Sequence, residues 1–203
     1  MTSHPRLPGS LGGGDALSDT DHSWPVSGST GVHDSPYLSL RIDTIVDPDG
    51  GEHARAVVKP NGAVGVLALD EDDRLLLVEQ YRHPVGRRLF EIPAGTLDVP
   101  GESPLDAAMR ELAEEADVIA TGWESMLHLL ATPGYSTEEW EIFRATDLSP
   151  VPEADRTSRE AEESEMAQWW VPFDDVVDAV LAGRIRDSMT VSAVLAAQVL
   201  RSR

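Results

Sequence analysis

The chain has 203 residues, 41% of them hydrophobic, enough for one domain with an ordinary core. Thirty-six acidic side chains against sixteen basic ones give a net charge of -20, a surface that repels nucleic acid phosphates and anionic membranes. Cysteine is absent, which excludes disulfides and thiolate metal sites and fits a reducing compartment. No signal-peptide pattern opens the chain and no apolar run approaches the roughly 20 residues that span a bilayer, so the expected location is the cytoplasm, with no membrane partner.

Residues 1–33 are rich in Gly, Ser, Asp and Pro, with too few apolar side chains at any period to bury a face. They are expected to be a flexible leader, with Trp24 the side chain able to tack part of it down. Residues 34–62 hold two strand-like runs, "YLSLRIDTIV" and "HARAVVK", around the turn-rich "DPDGG", which predicts a hairpin. From residue 63 onward a further domain is expected. "AVGVLALD" and "RLLLVEQY" have the length and Val/Leu content of buried strands, and "RRLFEIPAG" is a short strand stopped by proline and glycine. A helix over 103–116 follows, then strands in "SMLHLLA", "WEIFRAT" and "MAQWWVP". Two helices come last, "FDDVVDAVLAG" and "DSMTVSAVLAAQVL", the second capped by Asp187. Strands outnumber helices without alternating with them, which predicts an α+β or mixed-sheet sandwich.

The helix at 103–116 is well announced. Ser103 suits the N-cap, Pro104 the first helical position, and Asp106 completes a capping-box pattern. Leu105, Met109, Leu112 and Ala116 read as the stripe that packs on the sheet, with Glu111, Glu114 and Glu115 on the opposite, solvent side. Like charges three and four residues apart destabilise a helix by a few tenths of a kcal/mol per pair, and only Arg110 lies near enough to relieve them. The preceding "PAGTLDVPGE" has two glycines and two prolines, which hold backbone carbonyls in fixed directions. Rigid carbonyls beside clustered carboxylates suit a hard divalent cation. On the residues alone, a solvated acidic face accounts for the same cluster.

The stretch "GTLDVPGESPLDAAMRELAEEAD" resembles the Nudix box of hydrolases that cleave nucleoside diphosphates linked to another moiety. Gly95, Glu102, Arg110, Glu111, Leu112, Glu114, Glu115 and Val118 match it. Two departures stand out: six residues rather than five separate Gly95 from Glu102, and Asp117 occupies a glycine position. The extra residue is expected to bulge the loop without moving the helix, and aspartate tolerates the left-handed conformation a glycine supplies there. Pro133, sixteen residues after Asp117, with "VEQYRHPVGRRLFEIPAG" and "REAEESEM", is similar to the ADP-ribose pyrophosphatase subgroup. Taken alone, Pro133 is also an ordinary Pro-Gly turn.

The resemblance implies a Nudix-type α/β/α sandwich with a mixed sheet plus N-terminal antiparallel strands, and Mg2+-dependent hydrolysis of ADP-ribose to AMP and ribose 5-phosphate, Mn2+ being an alternative ion. It implies that Glu111, Glu115 and the Ala94 carbonyl hold the metal, with Glu114 binding a further ion. Gly95, Glu102 and Arg110 support the site, the last two through a salt bridge. Glu162 matches the general base or last metal ligand, with Glu163 and Glu165 as rivals. Arg82 holds the substrate's phosphates, or is a surface ion pair, and Arg55 reaches a neighbouring subunit's site. A homodimer built on the strands of 34–62 is implied, with a hairpin packed on its own chain as the alternative. Another nucleotide sugar or dinucleotide, a silent nucleotide-binding Nudix protein, and an acidic interaction protein are the competing functions.

Overall fold

The computed structural model describes residues 2–3, 5–14, 17–157 and 165–203. A two-residue ladder joins β1 (Thr2–Ser3) to β2 (Ser10–Leu11). The next three strands, β3 (Val26–Asp34), β4 (Leu38–Val46) and β5 (Glu52–Pro60), form an antiparallel sheet of their own. In the β4–β5 hairpin Leu40 faces Val58 and Ile42 faces Ala56. Asp47 fixes its turn, accepting from the Asp49 and Gly51 amides and standing 2.7 Å from His53 Nε2, whose contact holds the Asp47 carboxyl below the usual carboxylate range. Strand β3 falls, all but Asp34, within the stretch read as a leader. All its residues are exposed, so backbone pairing to β4 and the Ser29–Asp43 hydrogen bond define it, with no apolar alternation to announce it.

The rest of the chain runs β6 (Ala63–Ala68), β7 (Arg74–Arg82), β8 (Arg87–Glu91), β9 (Ala94–Thr96), α1 (Pro104–Ala116), β10 (Val118–Leu130), β11 (Glu139–Pro150), β12 (Ala167–Pro172), α2 (Phe173–Leu181) and α3 (Ser188–Arg201). One sheet has the order β10-β11-β6-β9, parallel only between β11 and β6; the other is antiparallel in the order β12-β7-β8. Side chains alternate across β6 and β7 into two cores. Val64, Val66, Ala68 and Leu76 pack with α1, whereas Leu67, Leu75 and Leu77 pack with α2 and α3. Strands buried on both faces read as unbroken apolar runs, which is why they were plain in the sequence.

Helix α1 sits in a different rotation from the expected one. Leu105 and Met109 are 36% and 43% exposed, while Ala107, Ala108, Leu112, Glu115 and Ala116 face inward. Alanines let the helix approach β6 closely, and Glu115, expected in solvent, is 5% exposed. The ends are as read: Ser103 Oγ accepts from the Asp106 amide at 3.2 Å, and Asp117 takes the left-handed conformation at φ 53°. Asp187 caps α3 by accepting from the Thr190 amide at 2.8 Å. Strand β10 starts at Val118, seven residues before the apolar run that marked it, because Thr121 and Gly122 interrupt the pattern.

Candidate active site

Strand β9 and helix α1 bring the box residues together. Ala94 pairs with Gly65 and Gly95 with Val64, which fixes this short segment on the sheet edge. The Ala94 amide donates to Glu115 Oε2 at 2.9 Å, so the buried carboxylate has a backbone partner. A Cβ on Gly95 would lie 1.9 Å from Glu111 Cδ, which makes glycine a steric requirement of the Glu111 carboxylate's position. Glu111 and Glu115, one helical turn apart, thus both rest against the Ala94–Gly95 backbone. The six-residue spacer is absorbed by a turn in which the Glu102 amide donates to the Val99 carbonyl (3.2 Å), with Gly101 at φ 83°. Such a turn accepts proline at its second position and glycine at its third, here Pro100 and Gly101.

Arg110 answers the charge problem of the acidic face. Its Nε and Nη2 donate to the two oxygens of Glu102, each at 3.0 Å, and its Nη1 donates to Glu111 at 2.6 Å and Glu114 at 3.1 Å. The hydrogen bonds of Glu102 foremost, helped by Glu111 and Glu114, outweigh burial and raise the arginine's pKa; in return Arg110 holds the Glu102 carboxyl below the usual range. Among the described residues, no three acidic or histidine side chains converge as a ready-made cation cage. Glu111 and Glu114 are shared with Arg110, and Glu115 with Ala94. The donor set nevertheless fits a hard divalent ion: carboxylate and carbonyl oxygens only, two of the carboxylates packed on one strand.

A cleft of about 400 Å³ opens beside Ala94, Gly95 and Thr96, with Arg82, Glu91, Glu138, Trp140 and Asp187 in its walls. Arg82, its side chain 41% exposed, is tied to Glu91: Nε donates to both carboxylate oxygens at 3.1 Å and Nη2 to Oε2 at 2.6 Å. Burial works against its charge, and Glu91, with Glu115 and Asp187 contributing, overcomes this and raises its pKa. A larger hollow of about 570 Å³ lies between β8 and α2, lined by Leu77, Phe90 and Val176 among others. Its size does not make it the site, since none of the box residues lines it.

Arg55 is exposed on β5, its Nη1 bonded to the Ala54 carbonyl, and does not line the cleft. Pro133 lies on the exposed loop before β11, which leads into Glu138 and Trp140 and touches β5 through the Val58 amide and the Tyr135 carbonyl. Glu162 and Glu163 lie outside the described residues. Glu165 is exposed, and its carbonyl accepts from Arg88 Nη2 at 2.9 Å. The sequence reading missed Glu91, Glu138, Trp140 and Asp187 as cleft residues. Glu91 carried a signal, an acid inside the apolar run "LFEI"; the others needed the fold.

A mixed-sheet sandwich with this glycine loop and glutamate helix on one edge defines a Nudix-type hydrolase. The chain belongs to the NUDIX family, whose domain model matches residues 59–190. It is 38% identical to an ADP-ribose pyrophosphatase of Mycobacterium tuberculosis, over 87% of this chain and 84% of that protein. It is 32% identical to an ADP-ribose pyrophosphatase of Bacillus subtilis, over 80% and 86% respectively. A crystal structure of an ADP compounds hydrolase shares the fold with a TM-score of 0.74 at 23% identity, over 90% of this chain and 96% of that one.

Proposed function

We propose that the chain hydrolyses the pyrophosphate bond of ADP-ribose, releasing AMP and ribose 5-phosphate, with Mg2+ or Mn2+ as the ion. The observation that carries the substrate is the 38% identity to the mycobacterial ADP-ribose pyrophosphatase along 87% of the chain. Glu111, Glu115 and the Ala94 carbonyl would hold the ion and Glu114 a further one; once bound, it offsets phosphate charge and lowers the pKa of a coordinated water. The chain's own residues supply the rest. Gly95 and Arg110 set where Glu111 stands, Glu102 anchors Arg110, Arg82 contacts a phosphate, and Glu162 takes the proton as water attacks phosphorus. The test is a panel of ADP-ribose, ADP-glucose, diadenosine compounds and nucleoside triphosphates with Mg2+, with products identified. Preferred cleavage of ADP-ribose to AMP and ribose 5-phosphate supports the reading; a faster rate on any other member overturns it.

The working form is a homodimer built through the β3–β4–β5 sheet, with Arg55 serving the neighbouring subunit. Leu38, Leu40, Ile42 and Val46 alternate onto one face of β4, yet Asp43 is the one buried residue of this sheet among those described. A three-stranded sheet needs an apolar face covered to be stable, and a second copy would cover it. Light scattering that reports a monomer at micromolar concentration rules this out. The cytoplasm is the proposed location; no helix among the described residues is long and apolar enough to cross a membrane.

A further inference from the structure

We infer that Glu91 is a positioning residue: it grips the guanidinium of Arg82 by its Nε–Nη2 edge, holds the Nη1 edge ready for the substrate's phosphate, and is itself steadied by Gln80. The inference rests on the reading of Arg82 as a phosphate contact. Val78 stands opposite Glu91 in the β7–β8 ladder, so Gln80 and Arg82, two and four residues further along β7, share the face on which Glu91 lies. Glu91 is 4% exposed, and a carboxylate so placed requires fixed donors. It has them in Arg82 and in Gln80 Nε2, which donates to Oε2 at 3.1 Å. Among the described residues, Arg82 Nη1 donates to none, and both Arg82 and Glu91 border the cleft.

Two effects of Glu91 on anion binding oppose each other. Its charge partly neutralises Arg82, which weakens attraction to a phosphate. Its side-on clamp removes the freedom of a long flexible side chain before substrate arrives, which strengthens binding. A planar fork held along one edge presents the other in a defined direction, as two-edged recognition of phosphate requires. On this inference the positioning effect is the larger, since the Gln80 hydrogen bond resists Glu91 following Arg82 into another rotamer.

The test compares Glu91→Gln, Arg82→Ala and the double variant on ADP-ribose with Mg2+, reading KM and kcat separately with melting temperatures alongside. Glutamine has the shape of glutamate but carries no charge and sets an NH2 group at one of the two oxygen positions that accept from Arg82 and Gln80, so the clamp is weakened. Glu91→Gln is expected to raise KM about tenfold and leave kcat within about twofold, the signature of lost ground-state binding. Arg82→Ala raises KM at least as much, and the double variant is no worse than Arg82→Ala. If Arg82→Ala raises KM while Glu91→Gln leaves it unchanged or lowers it, Glu91 only neutralises and the inference falls while the reading of Arg82 stands. If Arg82→Ala leaves KM unchanged, the reading of Arg82 fails and takes the inference with it. Gln80→Leu, which keeps the ion pair, serves should Glu91→Gln not fold: a KM rise of about threefold agrees with the inference, and an unchanged KM refutes it.

Discussion

Replacing Gly95 by alanine tests the geometry of the site with a single methyl group. The new Cβ would lie 1.9 Å from Glu111 Cδ and 2.1 Å from its Oε1, where ordinary van der Waals contact begins at 3.4 Å. The Glu111 carboxylate must therefore move by about 1.5 Å, and a misplacement of about 1 Å costs on the order of 100-fold in rate. The stability cost is small by comparison. The colliding atoms, Cγ as well as the carboxylate, all belong to the Glu111 side chain, so it turns to another rotamer and gives up its hydrogen bond to Arg110. For a partly exposed ion pair that loss is about 1 kcal/mol or less. Expected, then, is a fall in kcat of about 100-fold or more with the melting temperature nearly unchanged, measured with saturating Mg2+ on ADP-ribose. Gly134→Ala, whose Cβ meets nothing within 4 Å, is the control and stays at the parent rate. A Gly95→Ala protein with near-parent kcat would show that the position of Glu111 against this strand is irrelevant to the chemistry.

Glu115→Gln keeps an oxygen for the Ala94 amide, so the protein folds with a loss of about 1 kcal/mol, while turnover falls by orders of magnitude; near-normal Mg2+-dependent rates would overturn the metal assignment. Glu115→Ala additionally removes the partner of that part-buried amide and should cost about 1–3 kcal/mol in urea unfolding. Arg110 depresses the Glu102 carboxyl, so the unfolded chain takes up this proton more readily than the folded one; the stabilisation is whole above about pH 4.3 and vanishes as pH falls through the lowered folded value. Melting curves from pH 6 to 2 should consequently show a shallower acid decline for Glu102→Gln than for the parent. Glu162→Gln is expected to reduce kcat by about 10²–10⁴-fold, and Glu165→Gln to stay within about twofold; the opposite order would transfer the base to Glu165.

What the sequence disclosed was whatever depends on neighbours in the chain. The Ser103 and Asp187 caps, the left-handed Asp117 and the apolar β6 and β7 are settled within a few residues, and all were legible. The rotation of α1 was not, because the burial of Glu115 is made tolerable by an amide twenty-one residues earlier, on another element. Leu105 and Met109 outweighed Ala107 and Ala108 on hydrophobicity, yet close packing on β6 favours the smaller side chains. Strand β3 was hidden because a ladder of exposed residues leaves no periodic trace. In the site, Gly95 and the α1 carboxylates came from the motif, but the partner of Arg82 emerged only once the β7–β8 register put Glu91 on the same face of the sheet, within reach of its guanidinium.

Arg110 has one last consequence, for how the protein meets scarcity of its ion. A guanidinium already bound to Glu102, Glu111 and Glu114 acts as a resident counter-charge, so folding need not await any mineral supply. Chelated protein is therefore expected to stay folded, with a divalent ion governing how fast the molecule works rather than whether it survives.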